Sequence, residues 1–163
     1  MTTPLSVGHG THLPALIKAV MASDGPILEL GTGLFSTPFL HYACYENKRE
    51  LVSYDNEIDY YEFNKPFEND YHKVIFVEDW DKIDLSKHWS VALVDHHPGS
   101  RRRFEIARLA NNVDYVIVHD TQPRSGSRYK YSRVFPLFKY RRDFGREKPL
   151  TTVLSNFKDL KNL

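Results

Sequence analysis

Sulfur is scarce in this chain of 163 residues, which has one cysteine and two methionines. A lone thiol, Cys44, cannot close an internal disulfide, so burial and hydrogen bonding must hold the fold, and a reducing, cytoplasmic setting is the expectation. Long hydrophobic runs are missing too. None approaches the roughly 20 residues that a helix needs to span a bilayer, so a membrane partner is not expected. The opening "MTTPLSVGHG" lacks the basic and apolar regions of a secretory leader. Internal repeats, low-complexity tracts and linkers are absent, and the length suits one domain over residues 1–163. An excess of charge is also missing, the formal net charge being +1. The balance hides an asymmetry: residues 1–123 carry 11 Lys/Arg and 18 Asp/Glu, residues 124–163 carry 11 and 3.

What is present is an alternation of short apolar strands and helices. "HLPALIKAVMAS" (12–23) places Leu13, Leu16, Ile17, Val20 and Met21 on one helical face, with Pro14 in the first turn. Strand one is Ile27–Leu30, and a helix follows from about Thr37 with Ser36 as its cap. "ELVSYD", "HKVIFVED", "SVALVDHH" and "DYVIVHD" read as further strands. "EIDYYEFNKP" and "PGSRRRFEIARLANN" read as helices, the second opened by Pro98 with Phe104, Ile106, Ala107, Leu109 and Ala110 on its apolar side. "VFPLFKYRRDF" and "LTTVLSNF", around the turn-like "GREKP", read as an antiparallel hairpin. The pattern predicts an α/β fold with about five parallel strands, covered on both faces, and a hairpin at one edge. Gln122–Arg133 reads as a loop over the site or a short helix.

Each of the first five strands ends in acid: Glu29, Asp55, Glu78 or Asp79, Asp95 and Asp120. Ligands of open α/β sheets lie outside the carboxyl ends of the strands. Any one acid there could cap the next helix; five on one edge would repel one another unless a cation, a metal or a hydroxyl-rich ligand lay among them. Gly31-Thr32-Gly33 supplies a turn that a ligand can approach closely. A dinucleotide fingerprint needs a third glycine where Ser36 stands, and a carboxylate beside a pyrophosphate would be repulsive. No phosphate-binding Lys-Ser or Lys-Thr loop occurs. A ligand with a cationic end, a ribose and a base fits better. Asp55 can accept from ribose hydroxyls, and Glu78-Asp79-Trp80 offers an amine acceptor and an aromatic face.

In order, "ILELGTGLFST", "SYDNE", "FVEDW", "ALVDHHP" and "VIVHDT" resemble the motifs of class I S-adenosylmethionine-dependent methyltransferases, over about residues 12–157. The resemblance implies a three-layer Rossmann-like sandwich with a mostly parallel sheet of about seven strands, in the order 3-2-1-4-5-7-6, and a C-terminal antiparallel hairpin. It implies S-adenosylmethionine as cofactor. Glu29, Gly31, Thr32 and Gly33 would line its methionine portion, Asp55 and Asn56 the ribose, and Asp79-Trp80 the adenine, with Asp95 nearby. Phe35 replaces a glycine common in the family, so its ring must turn away or narrow the site.

"VDHHPGSRRRF" and "VIVHDT" are similar to stretches of catechol-type O-methyltransferases, in which acids hold magnesium. Asp95 and Asp120 fall at the matching positions, although Thr121 stands where those enzymes place an amide ligand. The catalytic candidates are Asp95, His96, His119 and Asp120, with one histidine, His96 or His119, taking the proton of the acceptor. His9 and His12 read as helix-capping residues, with closure over the site as the alternative. Arg101-Arg102-Arg103 reads as a solvated face, though cations suit a helix start poorly. The expected acceptor is an O or N nucleophile of a small molecule. The basic segment 124–148, where aromatics interleave with arginine and lysine, keeps nucleic acid and an RNA-directed enzyme open. A cofactor-binding module without its own activity is a further alternative. The sequence names no oligomeric state.

Overall fold

A computed structural model describes residues 6–145 and 148–163. The strands are β1 (Ile27–Leu30), β2 (Leu51–Asp55), β3 (His72–Phe76), β4 (Trp89–Val94), β5 (Val113–Val118), β6 (Tyr140–Phe144) and β7 (Thr151–Ser155). They form a seven-stranded sheet in the order β3-β2-β1-β4-β5-β7-β6. The first five pair in parallel, and β7 runs antiparallel to β5 and β6. Both order and hairpin match the sequence reading. The turn expected at "GREKP" includes Arg146 and Glu147, which lie outside the described residues.

β1 and β4 form the middle of the sheet and are buried along their whole length. They can be continuously apolar because both faces are covered, so alternation has no purpose there. On one face lie α1 (Leu13–Met21) and α2 (Ser36–Asn47), packing Leu16, Val20, Leu40 and Cys44 against Ile27, Leu93 and Ile117. On the other lies α4 (Arg102–Leu109), whose Ile106 and Leu109 join Leu28, Val94, Val116 and Trp80. Each fully buried leucine contributes about 1.5–3 kcal/mol of apolar burial.

Several local expectations are corrected. α1 buries Ala15, Leu16, Ala19 and Val20, whereas Met21 is 82% exposed and Ile17 37%. Positions 15, 16, 19 and 20 share the face turned to the sheet, which leaves 17 and 21 on the outer side of the helix. Phe104 is likewise exposed, and α4 instead buries Arg102 and Glu105. α4 starts at Arg102, after a turn, and not at Pro98. Ser36 is the first residue of α2 and not its cap. α3 (Ile58–Asn64) runs into a short 3-10 turn at Lys65–Phe67. The segment after Gln122 is α5 (Pro123–Tyr129) followed by 3-10 turns at Tyr131–Arg133 and Phe135–Leu137, so the strand of the hairpin starts only at Tyr140. Among the described residues, no helix is long and apolar enough to cross a membrane.

Candidate functional site

The parallel strands deliver their carboxyl ends to one edge, and a cavity of about 430 Å³ opens there. That volume sits near the lower end for small-ligand sites. Its floor is the turn after β1. Gly31 adopts φ +96°, and a Cβ there would come within 2.5 Å of the His96 backbone nitrogen. Only glycine lets β1 and the loop after β4 meet so closely. Thr32 and Gly33 line the same wall.

Asp55, at the end of β2, is 3% exposed and ties this turn in place. Its Oδ2 accepts from the Thr32 backbone N–H and from Thr32 Oγ1, both at 2.7 Å, and its Oδ1 accepts from the Glu57 N–H at 2.8 Å. Burial raises its pKa, against those hydrogen bonds. A carboxylate offers about four acceptor positions, so about one is left for a ligand. Two ribose hydroxyls therefore need more than Asp55. Glu57, exposed and on the same cavity wall, is a second carboxylate there. Sequence reasoning stopped at Asn56, which does not line the cavity and whose Oδ1 is buried without a partner among the described residues. Glu57 was legible only as part of "SYDNE", two residues beyond the strand tip.

Glu29 does not reach the cavity. It is 0% exposed and faces α2. Thr37 Oγ1 donates to it at 3.0 Å and Ser53 Oγ at 2.6 Å. Burial pushes its pKa up to about 7, against the hydrogen bonds from Ser53, Ser36 and Thr37. Its link to the cleft is indirect, because Thr37 Oγ1 also accepts from the Gly33 N–H at 2.9 Å. Asp79 and Trp80 do not border the cavity either. Asp79 caps a 3-10 turn by accepting from the Asp81 N–H, and the buried Trp80 ring stacks on His96 at 4.1 Å. β3 ends at Phe76, so both residues lie past the sheet edge. Phe35 does not line the cavity; its ring lies 3.5 Å from where a Gly10 Cβ would stand.

The acids after β4 and β5 do come together, around a cation that sequence reasoning treated as surface. Arg102 is 6% exposed. One guanidinium nitrogen lies 2.9 Å from Asp95 Oδ1 and another 3.0 Å from Asp120 Oδ2, while Nε donates to the His96 carbonyl at 2.7 Å. Three consecutive arginines on a helix point about 100° apart, so only one of them can face this edge. Arg101 instead pairs with Glu105 and Asp81. The positive charge between Asp95 and Asp120 thus belongs to Arg102, and a magnesium ion bridging these two acids would have to displace it. Thr121, in the position of the third ligand, has its hydroxyl 2.9 Å from Thr152 Oγ1, which in turn donates to Asp143.

The second oxygen of Asp95 lies 2.9 Å from His119 Nδ1. Burial alone would raise the Asp95 pKa, but Arg102 and His119 hold it well below the usual carboxylate range. Burial alone would lower that of His119, and Asp95 outweighs it, so the imidazole pKa is raised. Asp120 has φ +60°, a left-handed conformation rare for a residue with a side chain, and such strain gathers at functional sites. Its Oδ1 has no partner among the described residues. His96 borders the cavity, but its side chain is fully buried, with Nε2 3.2 Å from Glu105 Oε2 and the ring stacked on Trp80, whereas the His119 ring lies beside Asp95. His12 makes no capping bond; it is buried in the cavity wall, edge-on to His119 with ring centroids 4.9 Å apart.

The aromatics of the basic segment are largely consumed by packing. Tyr131 and Phe138 are buried, Tyr131 stacks on Phe135, and Arg141 lies over Phe135 at 4.7 Å. The cations Arg124, Arg128, Lys130 and Arg133 remain exposed.

No family model matches the sequence, and no curated protein matches it. Solved structures do match in fold. The O-methyltransferase TomG from Streptomyces achromogenes, involved in tomaymycin synthesis and solved with S-adenosylmethionine, superposes with a TM-score of 0.65 at 14% identity, covering 93% of this chain and 81% of that one. The N-terminal domain of human METTL16 with S-adenosylhomocysteine gives 0.62 at 8%, covering 96% and 73%. TrmK of M. capricolum, with the same cofactor product, gives 0.52 at 15%, covering 95% and 70%. The chain carries the fold of the class I S-adenosylmethionine-dependent methyltransferases.

Proposed function

We propose that the protein is an S-adenosylmethionine-dependent methyltransferase acting on an oxygen or nitrogen nucleophile of a small molecule. The observation that carries this reading is the cleft itself. A glycine turn, two carboxylates after β2 and a charged cluster after β4 and β5 surround one cavity, at the edge where open α/β sheets bind ligands. The residues fit the cofactor. Gly31 and Gly33 keep the wall free of side chains, Asp55 and Glu57 offer acceptors for ribose hydroxyls, and the anionic rim suits a positive sulfur. When bound, S-adenosylmethionine supplies an electrophilic methyl group on a sulfonium.

The chain's own residues then have a modest task, to align and to hold a proton. Asp95 and Asp120, fixed by Arg102, face the cavity from the two neighbouring strands. Asp120 Oδ1 is the acceptor we assign to the O–H or N–H of the nucleophile, since Oδ2 is occupied by Arg102. His119, whose Nδ1 lies 2.9 Å from Asp95 Oδ2, stands beside that carboxylate. The cavity is small and the aromatics of the basic segment are packed inward, both of which favour a small acceptor over a stacked nucleic-acid strand.

The test is calorimetric titration with S-adenosylhomocysteine, followed by incubation of the protein with methyl-tritiated cofactor and fractionated metabolites or RNA. Binding with label in a small-molecule fraction is expected, and Asp120→Asn should reduce labelling at least tenfold while binding persists. Absence of binding by the native chain would overturn the assignment. Binding without transfer would indicate a cofactor-binding module, and label in RNA would reassign the acceptor.

A further inference from the structure

We propose that His12, Asp95 and His119 form a site for one divalent transition-metal ion of the zinc class on the cavity wall. One donor atom from each residue lies within 4.8 Å of the others. Two imidazoles and one carboxylate are the donor set of such ions, whereas magnesium prefers oxygen alone. This site differs from the Asp95–Asp120 pair, in which Arg102 already fills the space between the acids.

Hydrogen counting carries the argument. Thr11 Oγ1 lies 2.7 Å from the Pro149 carbonyl oxygen and 3.2 Å from that of Gly8. Carbonyls only accept, so the single hydroxyl proton of Thr11 goes to one of them. Thr11 must then accept from His119 Nε2, 3.0 Å away, and that nitrogen carries a hydrogen. The other ring nitrogen, Nδ1, stands 2.9 Å from Asp95 Oδ2. Without a positive charge there, two lone pairs would face each other. A second proton on His119 would remove the conflict, but it leaves His12 unexplained. His12 is 2% exposed, and neither ring nitrogen has a partner among the described residues. A neutral imidazole has one ring nitrogen with a lone pair to give. A buried polar atom left unmet keeps its full desolvation penalty. A metal ion gives one His12 nitrogen its partner and relieves the His119–Asp95 conflict at once.

The surroundings are built for that ion. Arg102 holds Asp95 Oδ1 and leaves Oδ2 to bind, while Thr11 fixes the His119 ring through its far nitrogen, as outer partners of metal-bound histidines do. With neutral imidazoles, the carboxylates of Asp95 and Asp120 against the Arg102 guanidinium leave one negative charge. A divalent ion with one anionic oxygen ligand brings the cluster to neutrality. Three protein ligands leave a position open, and an acceptor hydroxyl or amine could take it. That use of the ion rests on the methyl-transfer reading; binding of the ion does not.

The test therefore uses metal alone. Protein freed of any affinity tag and stripped with a chelator is titrated with Co2+ while visible ligand-field absorption is followed, then back-titrated with Zn2+. We expect one equivalent bound and displaced by zinc. His12→Asn and His119→Gln should each weaken binding at least tenfold with an unchanged circular dichroism spectrum, whereas His88→Ala, outside the cavity, should not. If either variant unfolds, imidazole NMR of the native protein decides: the His12 and His119 signals should shift on zinc addition and that of His88 should not. No stoichiometric binding, equal binding by folded His12→Asn and His119→Gln, or shifts confined to other histidines would overturn the site. None of these outcomes bears on cofactor binding, which is read separately with S-adenosylhomocysteine.

Discussion

Glu29 and Asp95 look alike in sequence, each an acid near the end of an apolar strand, yet the fold treats them oppositely. Glu29 lies on the α2 face of the sheet and meets only hydroxyls. Asp95 lies on the carboxyl edge and meets Arg102 and His119. Hydroxyls solvate a carboxylate without neutralising it, so burial wins at Glu29 and its pKa rises to about 7. At Asp95 the cations win, and its pKa falls. The lesson is that a buried strand-end acid keeps a lowered pKa only where the chain also supplies a cation to hold it; Asp55, held by N–H and hydroxyl donors alone, is raised like Glu29.

Breaking the Asp95 side of this contrast should have the largest effect. Arg102→Met removes the guanidinium from two carboxylates that are each about a quarter exposed (24% and 23%). We expect a loss of about 3 kcal/mol in urea unfolding, the lower end for orphaning a buried charge because water still reaches both acids. Adding Asp95→Asn to Arg102→Met should recover part of that loss. Equal stability of Arg102→Met and the native protein would show that the cluster does not hold this edge together.

The Glu29 side predicts a pH dependence. Its folded pKa, about 7, lies above the ordinary value of 4.5 that applies to the unfolded chain. Between these values the folded state binds the extra proton, so the contribution of Glu29 to stability is full below about 4.5 and is lost as pH rises through 7. Glu29→Gln should therefore gain about 2 kcal/mol relative to the native protein between pH 5 and pH 8. Asp95 has the opposite sign: its contribution is present above the ordinary carboxylate range and is lost as pH falls below it. Asp95→Asn should accordingly be most damaging near neutrality and converge on the native protein in acid. Parallel pH profiles for the two variants would contradict the comparison.

The sequence revealed the frame better than its furnishings. The alternation of strands and helices and the absence of a helix between the last two strands were enough for parallel strands closed by a hairpin, because burial on both faces imprints short, continuously apolar strands on the chain; the order of the seven strands came from the resemblance to the methyltransferase motifs. The Gly31 turn was legible for a similar reason, since few residues tolerate φ +96°. Arg102 was not, because its environment is made by strands β4 and β5 and not by its neighbours in "RRR". His96 and His119 were indistinguishable as residues after strands. Which face each takes depends on Trp80 and Glu105, which draw His96 inward, and on Asp95 and Thr11, which hold His119 at the cleft. Glu29 was read as a cofactor contact because a strand end and a strand edge are not separable without the register of β1 on β2, which sets Glu29 beside Ser53.

The smallest expected effect separates the two acids after β2. Glu57 is exposed and has a carboxylate with no partner among the described residues, whereas Asp55 holds Thr32 and Glu57 through their backbone N–H groups. If Glu57 holds a ribose hydroxyl, Glu57→Ala should weaken S-adenosylhomocysteine binding about tenfold and leave the thermal midpoint unchanged, as for most surface substitutions. Asp55→Asn should weaken binding and lower the midpoint together, because the amide cannot accept from Thr32 and Glu57 as the carboxylate does. Calorimetry and thermal melts on the two variants distinguish an acid that touches the ligand from one that shapes the loop around it. Equal loss of affinity at equal loss of stability would mean that Glu57 acts on the turn and not on the cofactor.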